Sequence, residues 1–514
     1  MSPQTPRGRP SALKRIFSGS NNRSSSRMSS RTASGEEKPS SSLVEMAQKQ
    51  AMGTLTGPDK LNAVTELMGK LKQDLDTISL LPHQRDAVLE ELKIYGRDPK
   101  NADPIYTKDG IETLTRHAFN SPSSTTARNA LRCICNAMLL KAETRQIFVN
   151  LGFESRACAQ LKNDNRDDEF LISRVLFLTT YGTNTNILEL IDKHHLDDII
   201  IKNLERHCKH RQGQKLVTEP MEDIALTETL KLMFNITHYC KDRTSSFTPA
   251  IPHIVNLLCK VDFTASKPLD PPISTLVNGL LNLDVGAKEV QSSLYPQEGP
   301  NVLADRLLDI LVGASTTYSN DELESLVTAL IGVIRAVHEY APEEVKASIR
   351  RRLLPTEKDR NEVLGRSGTI SSWLLRNSTN PVTPQLRNAI SDLLFDMSDK
   401  DASKFVDNVG YGFASGFLFN RNIPIPQSAS EAFANAGGSS RPVNPVTGQF
   451  LDSERHPAAP EMSQEEKERE AERLYVLFER LRANGIISAE NPVRIAQQEG
   501  RFEELPDNYD EDVD

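Results

Sequence analysis

The chain has few aromatic residues: they make up 6% of its 514 residues and include one tryptophan, Trp373. β-Sandwiches and propellers are built around recurrent aromatic residues, so this composition favours stacked helices. The six cysteines are scattered through apolar stretches and form no disulfide framework. The sequence shows no secretory leader, and no apolar run approaches the ~18 residues of a membrane span. We therefore expect a cytoplasmic protein.

The chain also has fewer basic than acidic residues: it contains 61 lysines and arginines and 70 aspartates and glutamates, which gives a net charge of -9. An acidic chain is a poor match for nucleic acid, and we expect no nucleic-acid partner. Catalytic signatures such as a GxxxxGK[ST] loop, an HExxH motif or a GxSxG elbow are missing. His207, Cys208 and His210 lack a fourth ligand and zinc spacing, and we expect residues 207–222 to form a polar loop. The sequence thus predicts neither an enzyme nor a cofactor.

What the sequence does contain is a polar stripe that recurs in three apolar segments at the spacing i, i+3, i+7. On a helix these positions share one face, and the apolar residues beside them would stack the helices into a solenoid. The stripes would line a concave surface that binds a peptide, because asparagine amides pair with backbone groups. Alternatively, an inward asparagine caps a neighbouring helix or satisfies a loop carbonyl. The stripes are Asn129, Arg132 and Asn136; Glu228, Lys231 and Asn235; and Thr275, Asn278 and Asn282.

Apolar residues at three- and four-residue spacing continue through the middle of the chain, separated by Pro, Gly, Asn and Asp. We predict an all-α fold, an armadillo/HEAT-like right-handed superhelix. The basic, serine-rich N-terminal arm is either a solvated tail or a segment that is phosphorylated or drawn to anionic lipid, which would recruit the protein peripherally to the plasma membrane. The predicted segments are a disordered arm at 1–58, helical repeats at 59–419, a flexible linker at 420–460, a C-terminal helix at 461–490 and an acidic tail at 491–514.

Two basic groups could extend the predicted binding surface. Lys93 and Arg97 are spaced i, i+4, so they share one face of a helix. The second group is either a solvated face or a clamp on an acidic partner. Its members are Arg350, Arg351, Arg352, Lys358 and Arg360.

Several motifs in this order resemble the synembryn family, the non-receptor exchange factors and folding chaperones of heterotrimeric G-protein α subunits. They are RNALRCICNAM, LKLMFNIT, VNGLLNLD, VGYGFASGFLF, NPVTG and MSQEEKEREAERLYVLFERL. The family fold is an armadillo/HEAT-like superhelix. The resemblance implies a concave surface that captures the C-terminal helix of a Gα subunit, so that GDP is released and the nucleotide-free state is held. It implies population shift and no covalent chemistry, and we expect a monomer.

The resemblance also implies roles for individual residues. Lys93 and Arg97 match a basic pair that holds the carboxylate end of the Gα helix, although lysine stands where arginine is expected. Asn136 and Asn235 match groove asparagines, and Phe234 packs beside them. The Gly-rich VGYGFASGFLF segment and the C-terminal helix would contact the rest of Gα. The full predicted partner-binding set is Lys93, Arg97, Asn129, Arg132, Asn136, Lys231, Phe234, Asn235, Asn278, Asn282, Arg360, Tyr411, Leu474 and Phe478.

The linker departs from the family pattern, because it reads QSASEAFANAGGSSRP and lacks an acidic run before NPVTG. Control by an acid-directed kinase is therefore not expected there, while Ser428, Ser430, Ser439 and Ser440 remain candidate sites for other kinases. The alternative function is a peptide-binding armadillo scaffold or transport adaptor without exchange activity. That function predicts regular Trp–Asn pairs in successive repeats, and the single tryptophan counts against it.

Overall fold

A computed structural model of the protein describes residues 55–213, 220–299, 301–424, 443–444 and 446–454, together with Arg469, Arg473, Tyr475 and Val476. Throughout these residues the secondary structure is helical, with isolated β-bridges only at Thr264–Lys267 and Val443–Phe450. The predicted all-α, armadillo/HEAT-like architecture is confirmed. Within this part of the chain no helix is both long and apolar enough to cross a membrane.

The helices follow one another with short connections, as the spacing of apolar residues predicts. In chain order the α-helices are α1 Gly57–Thr77, α2 Pro82–Tyr95, α3 Lys108–Asn120, α4 Ser124–Leu140, α5 Glu143–Leu151, α6 Glu154–Gln160, α7 Arg166–Thr179, α8 Ile187–Asp192, α9 Leu196–Gly213, α10 Pro220–Tyr239, α11 Ile251–Lys260, α12 Ile273–Leu281, α13 Gln291–Leu294, α14 Val302–Thr317, α15 Asn320–Glu322, α16 Thr328–Tyr340, α17 Glu343–Leu353, α18 Ile370–Asn377, α19 Pro384–Met397, α20 Ala402–Val409 and α21 Tyr411–Asn420. Short 3-10 helices lie at Asp103–Tyr106, Lys241–Ala250, Lys288–Val290, Asp359–Asn361 and Leu451–Ser453. A short π-helix lies at Leu323–Val327.

The helices form two rows. In the first row α2, α4, α7, α10, α12, α16 and α19 each pack against the next, and we call them the ladder helices. In the second row α9, α11, α14 and α17 pack in succession, while α3 joins α1 to α4. Tandem helices that contact mainly their neighbours are typical of a helical solenoid, in which no single repeat buries its apolar face alone. One apolar core accordingly runs from Val64 to Leu418.

Local sequence signals explain where the ladder helices begin and which side they bury. Ser123 caps α4 by accepting a hydrogen bond from the amide of Thr126, and Asn165 caps α7 in the same way through Asp168. Such caps satisfy amides that have no partner within the helix. Inside α4, Ile134 and Met138 recur at four-residue spacing and are fully buried.

The first ladder helices run parallel. The Thr126 hydroxyl, near the start of α4, donates to the Asp86 carboxylate near the start of α2 at 2.5 Å. Near the other end, the Asn136 amide lies 3.5 Å from the carbonyl oxygen of Lys93. The carboxyl ends of α2 and α4 therefore lie side by side at one edge of the row.

Residues 207–213 differ from the predicted polar loop, because α9 continues through them to Gly213. His207 is buried, and its ring joins three helices. Its Nε2 lies 3.0 Å from the Glu169 carboxylate of α7, and its Nδ1 lies 3.4 Å from the Glu222 carboxylate of α10. The Thr229 hydroxyl also donates to Glu169 at 2.7 Å. A loop interpretation failed here because the polar residues of this stretch pair with buried acids on other helices.

The two carboxylates decide the charge of His207. Burial alone would lower the pKa of His207, but hydrogen bonds to Glu169 and Glu222 raise it above its ordinary value. Burial would raise the pKa of Glu169, but its hydrogen bond to His207 lowers it. Arg206 and Arg166 flank the carboxylates of Glu169 and Glu222, respectively. The two carboxylates therefore favour the imidazolium form of His207.

We expect His207→Gln to destabilise the protein by about 3 kcal/mol at pH 6, because Glu169 and Glu222 lose the cation between them and keep only Arg206 and Arg166 as counter-charges. A raised folded-state pKa means that the stabilisation is complete below the unfolded value of about 6.5 and is lost as the pH rises through the folded value. The difference between wild type and variant should therefore shrink at alkaline pH. Chemical denaturation at pH 6 and pH 9 measures it.

The matched control for this substitution is His83→Gln, because His83 is exposed on α2. Its replacement should change the free energy of unfolding by less than about 0.5 kcal/mol at both pH values. A loss in His207→Gln that stays the same across pH would contradict the imidazolium and would leave only a packing role for this side chain.

Candidate partner-binding surface

The last asparagine of each polar stripe braces the ladder. The Asn136 amide approaches the carbonyl oxygen of Lys93, as described above. The Asn235 amide donates to the Thr180 hydroxyl at 2.7 Å, and the Asn282 amide donates to the carbonyl of Phe234 at 3.1 Å. Each therefore reaches back to the ladder helix before its own or to the residue that follows it. Of the two explanations that the sequence allows, satisfying a neighbour's polar group describes these contacts better than lining an open groove.

Three other residues of the predicted partner-binding set are largely enclosed. Asn129 is 2% exposed, Asn278 6% and Phe234 5%. The Asn129 side-chain oxygen accepts from Arg132 at 3.1 Å, while its buried amide nitrogen has no partner among the described residues. These residues sit beneath the surface, so in this conformation a partner does not reach their polar atoms without rearrangement.

Charged side chains link successive ladder helices. Arg132 of α4 pairs with Asp167 of α7 at 3.1 Å, and Glu228 of α10 accepts from Lys231 at 3.1 Å. Arg174 of α7 lies 3.6 Å from the same Glu228. The charges of Arg132 and Lys231 are therefore compensated within the protein. Both members of the Arg132–Asp167 pair are about one-third exposed, so this pair contributes little to stability and its arginine can be shared with a partner.

Lys93 and Arg97 stand apart from this compensated row. Lys93 lies in the last turn of α2 and is half-buried, and Arg97 follows the helix and is exposed. Neither side chain has a hydrogen bond or an ion pair with any described residue. Two cations without an ion pair on one short stretch make this a candidate site for an anionic group.

Exposed apolar side chains accompany these cations. Ile94 is 44% exposed, and Leu139 and Leu140 at the end of α4 are 49% and 41% exposed. Because α2 and α4 end side by side, all of these residues belong to one edge. We call Lys93, Ile94, Arg97, Leu139 and Leu140 the terminal patch. Its combination of apolar area and positive charge suits an amphipathic helix that ends in a carboxylate. Sequence analysis identified the two cations of the patch but not its apolar residues. The sequence feature that indicates Leu139 and Leu140 is a pair of leucines at the very end of a helix.

Three members of the second basic group, Arg350, Arg352 and Arg360, bond to other groups of this protein, which favours a structural role for them over a clamp on an acidic partner. Arg350 pairs with Glu343 and Asp399, and Arg352 with Asp305 and Asp309. The Arg360 guanidinium donates to three main-chain carbonyls, those of Asp407, Asn408 and Gly448. Arg360 therefore lies in an intramolecular contact, and its place in the partner-binding set stays a prediction. The contact was invisible from sequence because its members are far apart along the chain.

The remaining predicted site residues are reported by position. Tyr411 begins α21 and is half-buried. Leu474, Phe478 and the four candidate phosphorylation serines, Ser428, Ser430, Ser439 and Ser440, lie outside the described residues. No group of His, Cys, Asp and Glu side chains within the described residues is arranged to hold a metal ion.

Asn235 and Asn136 differ in burial and in hydrogen bonding, so we predict different losses of stability when each is replaced by alanine. Asn235 is buried and well bonded, so Asn235→Ala should lower the free energy of unfolding by about 1–3 kcal/mol. Asn136 is half-buried and its contact is long, so Asn136→Ala should cost less than about 1 kcal/mol. Urea denaturation of both variants makes the comparison, and equal losses would contradict the bracing assignment.

Comparison with protein families and with known proteins agrees with this helical architecture. The family model described as guanine nucleotide exchange factor synembryn, Ric8, matches residues 88–501. A "Synembryn-like chaperone" of Schizosaccharomyces pombe is 25% identical over 366 residues, which cover 66% of each chain. A "Chaperone Ric-8A" of Macaca fascicularis is 25% identical and covers 79% of this chain and 83% of its own. The mouse "Chaperone Ric-8A" is 22% identical and covers 88% and 91%. Because the family model matches most of the chain, the protein belongs to the guanine nucleotide exchange factor synembryn family.

Proposed function

We propose that the protein is an exchange factor and folding chaperone for G-protein α subunits, which it grips by the C-terminal helix of Gα. Two observations support the proposal. The family model covers residues 88–501, and the terminal patch offers Lys93 and Arg97 without internal partners. The second observation carries the assignment of the site, because a cation pair without internal compensation points to a ligand.

The terminal patch supplies both parts of helix recognition. Ile94, Leu139 and Leu140 take the apolar face of the Gα helix, as in other helix-in-groove complexes. Arg97 pairs with the terminal carboxylate through its planar guanidinium, and Lys93 adds a point charge without that bidentate geometry. The Arg132–Asp167 pair, which lies on the next seam, lends a further donor to the bound helix.

Capture of this helix drives exchange through differential binding. The C-terminal helix of Gα buttresses the loops that hold the guanine base. A factor that binds the helix away from the GTPase core therefore favours the nucleotide-free state and releases GDP. GTP closes the core again and displaces the factor. The same grip covers an apolar helix in newly made Gα, which is the chaperone part of the proposal.

The asparagine contacts disfavour a generic peptide scaffold. Such a scaffold needs a ladder of free amides that pair with an extended backbone. In this protein the amides of Asn136, Asn235 and Asn282 face acceptors on the preceding helix or on the residue after it. Lys93 and Arg97, which have no ion pair with any described residue, lie at one end of the row, where a helix terminus can meet them.

We expect the double substitution Lys93→Ala with Arg97→Ala to weaken binding of a Gα C-terminal peptide about 10–100-fold, because two charge-assisted contacts are lost. Neither side chain has an internal partner, so the free energy of unfolding should change by less than about 0.5 kcal/mol. Fluorescence anisotropy measures the affinity. Amidation of the peptide's terminal carboxylate should weaken binding to wild type and leave the double variant nearly unaffected.

Lys202→Ala is the control for net charge, since Lys202 is exposed on α9, away from the patch. Its peptide affinity should equal that of wild type within about twofold. If the double variant binds as tightly as this control, the terminal patch is not the site of the Gα carboxylate.

The function itself is tested by the rate of GDP release from purified Gα subunits, measured with and without the full-length protein. We expect faster release together with capture of the Gα C-terminal peptide. Capture without faster release would reduce the proposal to a chaperone that holds Gα. The absence of both would refute it.

A further inference from the structure

The NPVTG motif forms a tightly bonded turn, here taken as residues 443–450 and described except for Pro445. The Asn444 side-chain oxygen accepts from the amide of Val446 at 2.9 Å, and the Asn444 carbonyl accepts from the amide of Gly448 at 2.8 Å. The Asn444 amide in turn donates to the Gln449 carbonyl at 2.7 Å. The predicted flexible linker at 420–460 therefore contains a segment with a defined fold.

Arg360 fastens this turn to the end of the helical repeat. Its guanidinium donates to the carbonyl of Gly448 at 3.0 Å and to those of Asp407 and Asn408 at 2.7 and 3.1 Å. Its own carbonyl accepts from the amide of Phe450 at 2.8 Å. One residue thus joins the turn to the carboxyl end of α20 through a side chain and a main chain at once.

Further main-chain contacts surround Arg360. The Leu364 amide donates to the Thr447 carbonyl at 3.2 Å, and the Gly412 amide donates to the Val446 carbonyl at 3.1 Å. The Gln449 side chain donates to the Asn361 carbonyl at 3.1 Å. The Phe450 residue is only 3% exposed. The turn is therefore integrated into the corner formed by α20, α21 and the 359–364 segment.

Gly448 cannot be replaced by a larger residue without opening this contact. Its φ of +69° lies in the left-handed region, which favours glycine. A Cβ at this position would overlap the side chain of Leu364, which is itself buried. The amide of Leu364 is one of the donors to the turn, so the collision would fall on the contact that holds it.

We propose that Arg360 and Gly448 are positioning residues that latch the turn onto the α20–α21 corner and so fix where the C-terminal segment leaves the helical repeat. This inference rests on the proposed function and on the sequence-based prediction that the C-terminal helix contacts the rest of Gα after the Gα helix is captured. The latch involves α20, α21 and residues 359–364, whereas capture belongs to α2 and α4. Opening the latch therefore impairs GDP release while peptide capture persists.

The test uses the full-length protein with Gly448→Ala and measures three quantities. Hydrogen exchange of the amides at 443–450 and at 412–414 should become about tenfold faster. Acceleration of GDP release should fall about tenfold, within the roughly 10²-fold that a displacement of about an ångström can cost. Affinity for the Gα C-terminal peptide should stay within about twofold of wild type.

Gly299→Ala is the matched control, because Gly299 has a φ of +84° but no atom within 4 Å of an added Cβ. It imposes similar backbone strain without a collision and should leave all three quantities near wild type. Arg360→Lys is the second variant and serves even if Gly448→Ala does not fold. It keeps the positive charge but cannot reach three carbonyls at once, so it should change the three quantities in the same direction, by a smaller factor.

Each outcome of these measurements either supports or overturns the proposed latch. Hydrogen exchange that is unchanged in both variants would overturn the latch. Faster hydrogen exchange with GDP release like that of Gly299→Ala would overturn the positioning role, and so would equal loss of release and capture. If wild type does not accelerate GDP release, the proposed function fails, and hydrogen exchange alone still decides whether Arg360 and Gly448 hold the turn.

Discussion

The side-by-side packing of the ladder helices is the constraint on which the rest of the structure depends. Each of these helices buries apolar residues on more than one side, as Leu131 and Cys133 of α4 do, and none is stable in isolation. Once the helices are stacked, polar groups at the seams must find partners in the neighbouring helix. The contacts of Asn235 with Thr180 and of Asn136 with Lys93 are consequences of that demand.

Charged side chains along the row of ladder helices also find partners in neighbouring helices. Where an acidic and a basic side chain of neighbouring ladder helices meet, as Arg132 and Asp167 do, they form an ion pair within the protein. α2 is the first of the ladder helices, and Lys93 and Arg97 near its carboxyl end have no ion pair with any described residue. Exposed apolar side chains lie beside them in the terminal patch. We propose that a partner with an apolar face and a carboxylate completes this patch.

Buried polar clusters tie together the places where simple stacking is interrupted. His207 joins α7, α9 and α10 next to the connection between α9 and α10. Arg360 joins the NPVTG turn to the last helices of the repeat. Both clusters are satisfied by several partners at once, which makes them costly to break and specific in geometry. Removing one member leaves the others without partners in a site of low polarity, so each cluster fixes one arrangement of its helices.

The sequence by itself determined the helices, their repetition and the polar stripes, because these follow from residues three or four positions apart on the same turn of backbone. It also located Lys93 and Arg97. Only the tertiary structure decided which partner each polar group meets: Asn235 reaches Thr180, 55 residues away, and Arg360 reaches Gly448, 88 residues away. Helical periodicity states which way a side chain faces along its own axis. Which group lies opposite a side chain is set by how distant helices pack. That packing gives Asn136, Asn235 and Asn282 partners inside the protein and places Arg360 against the NPVTG turn.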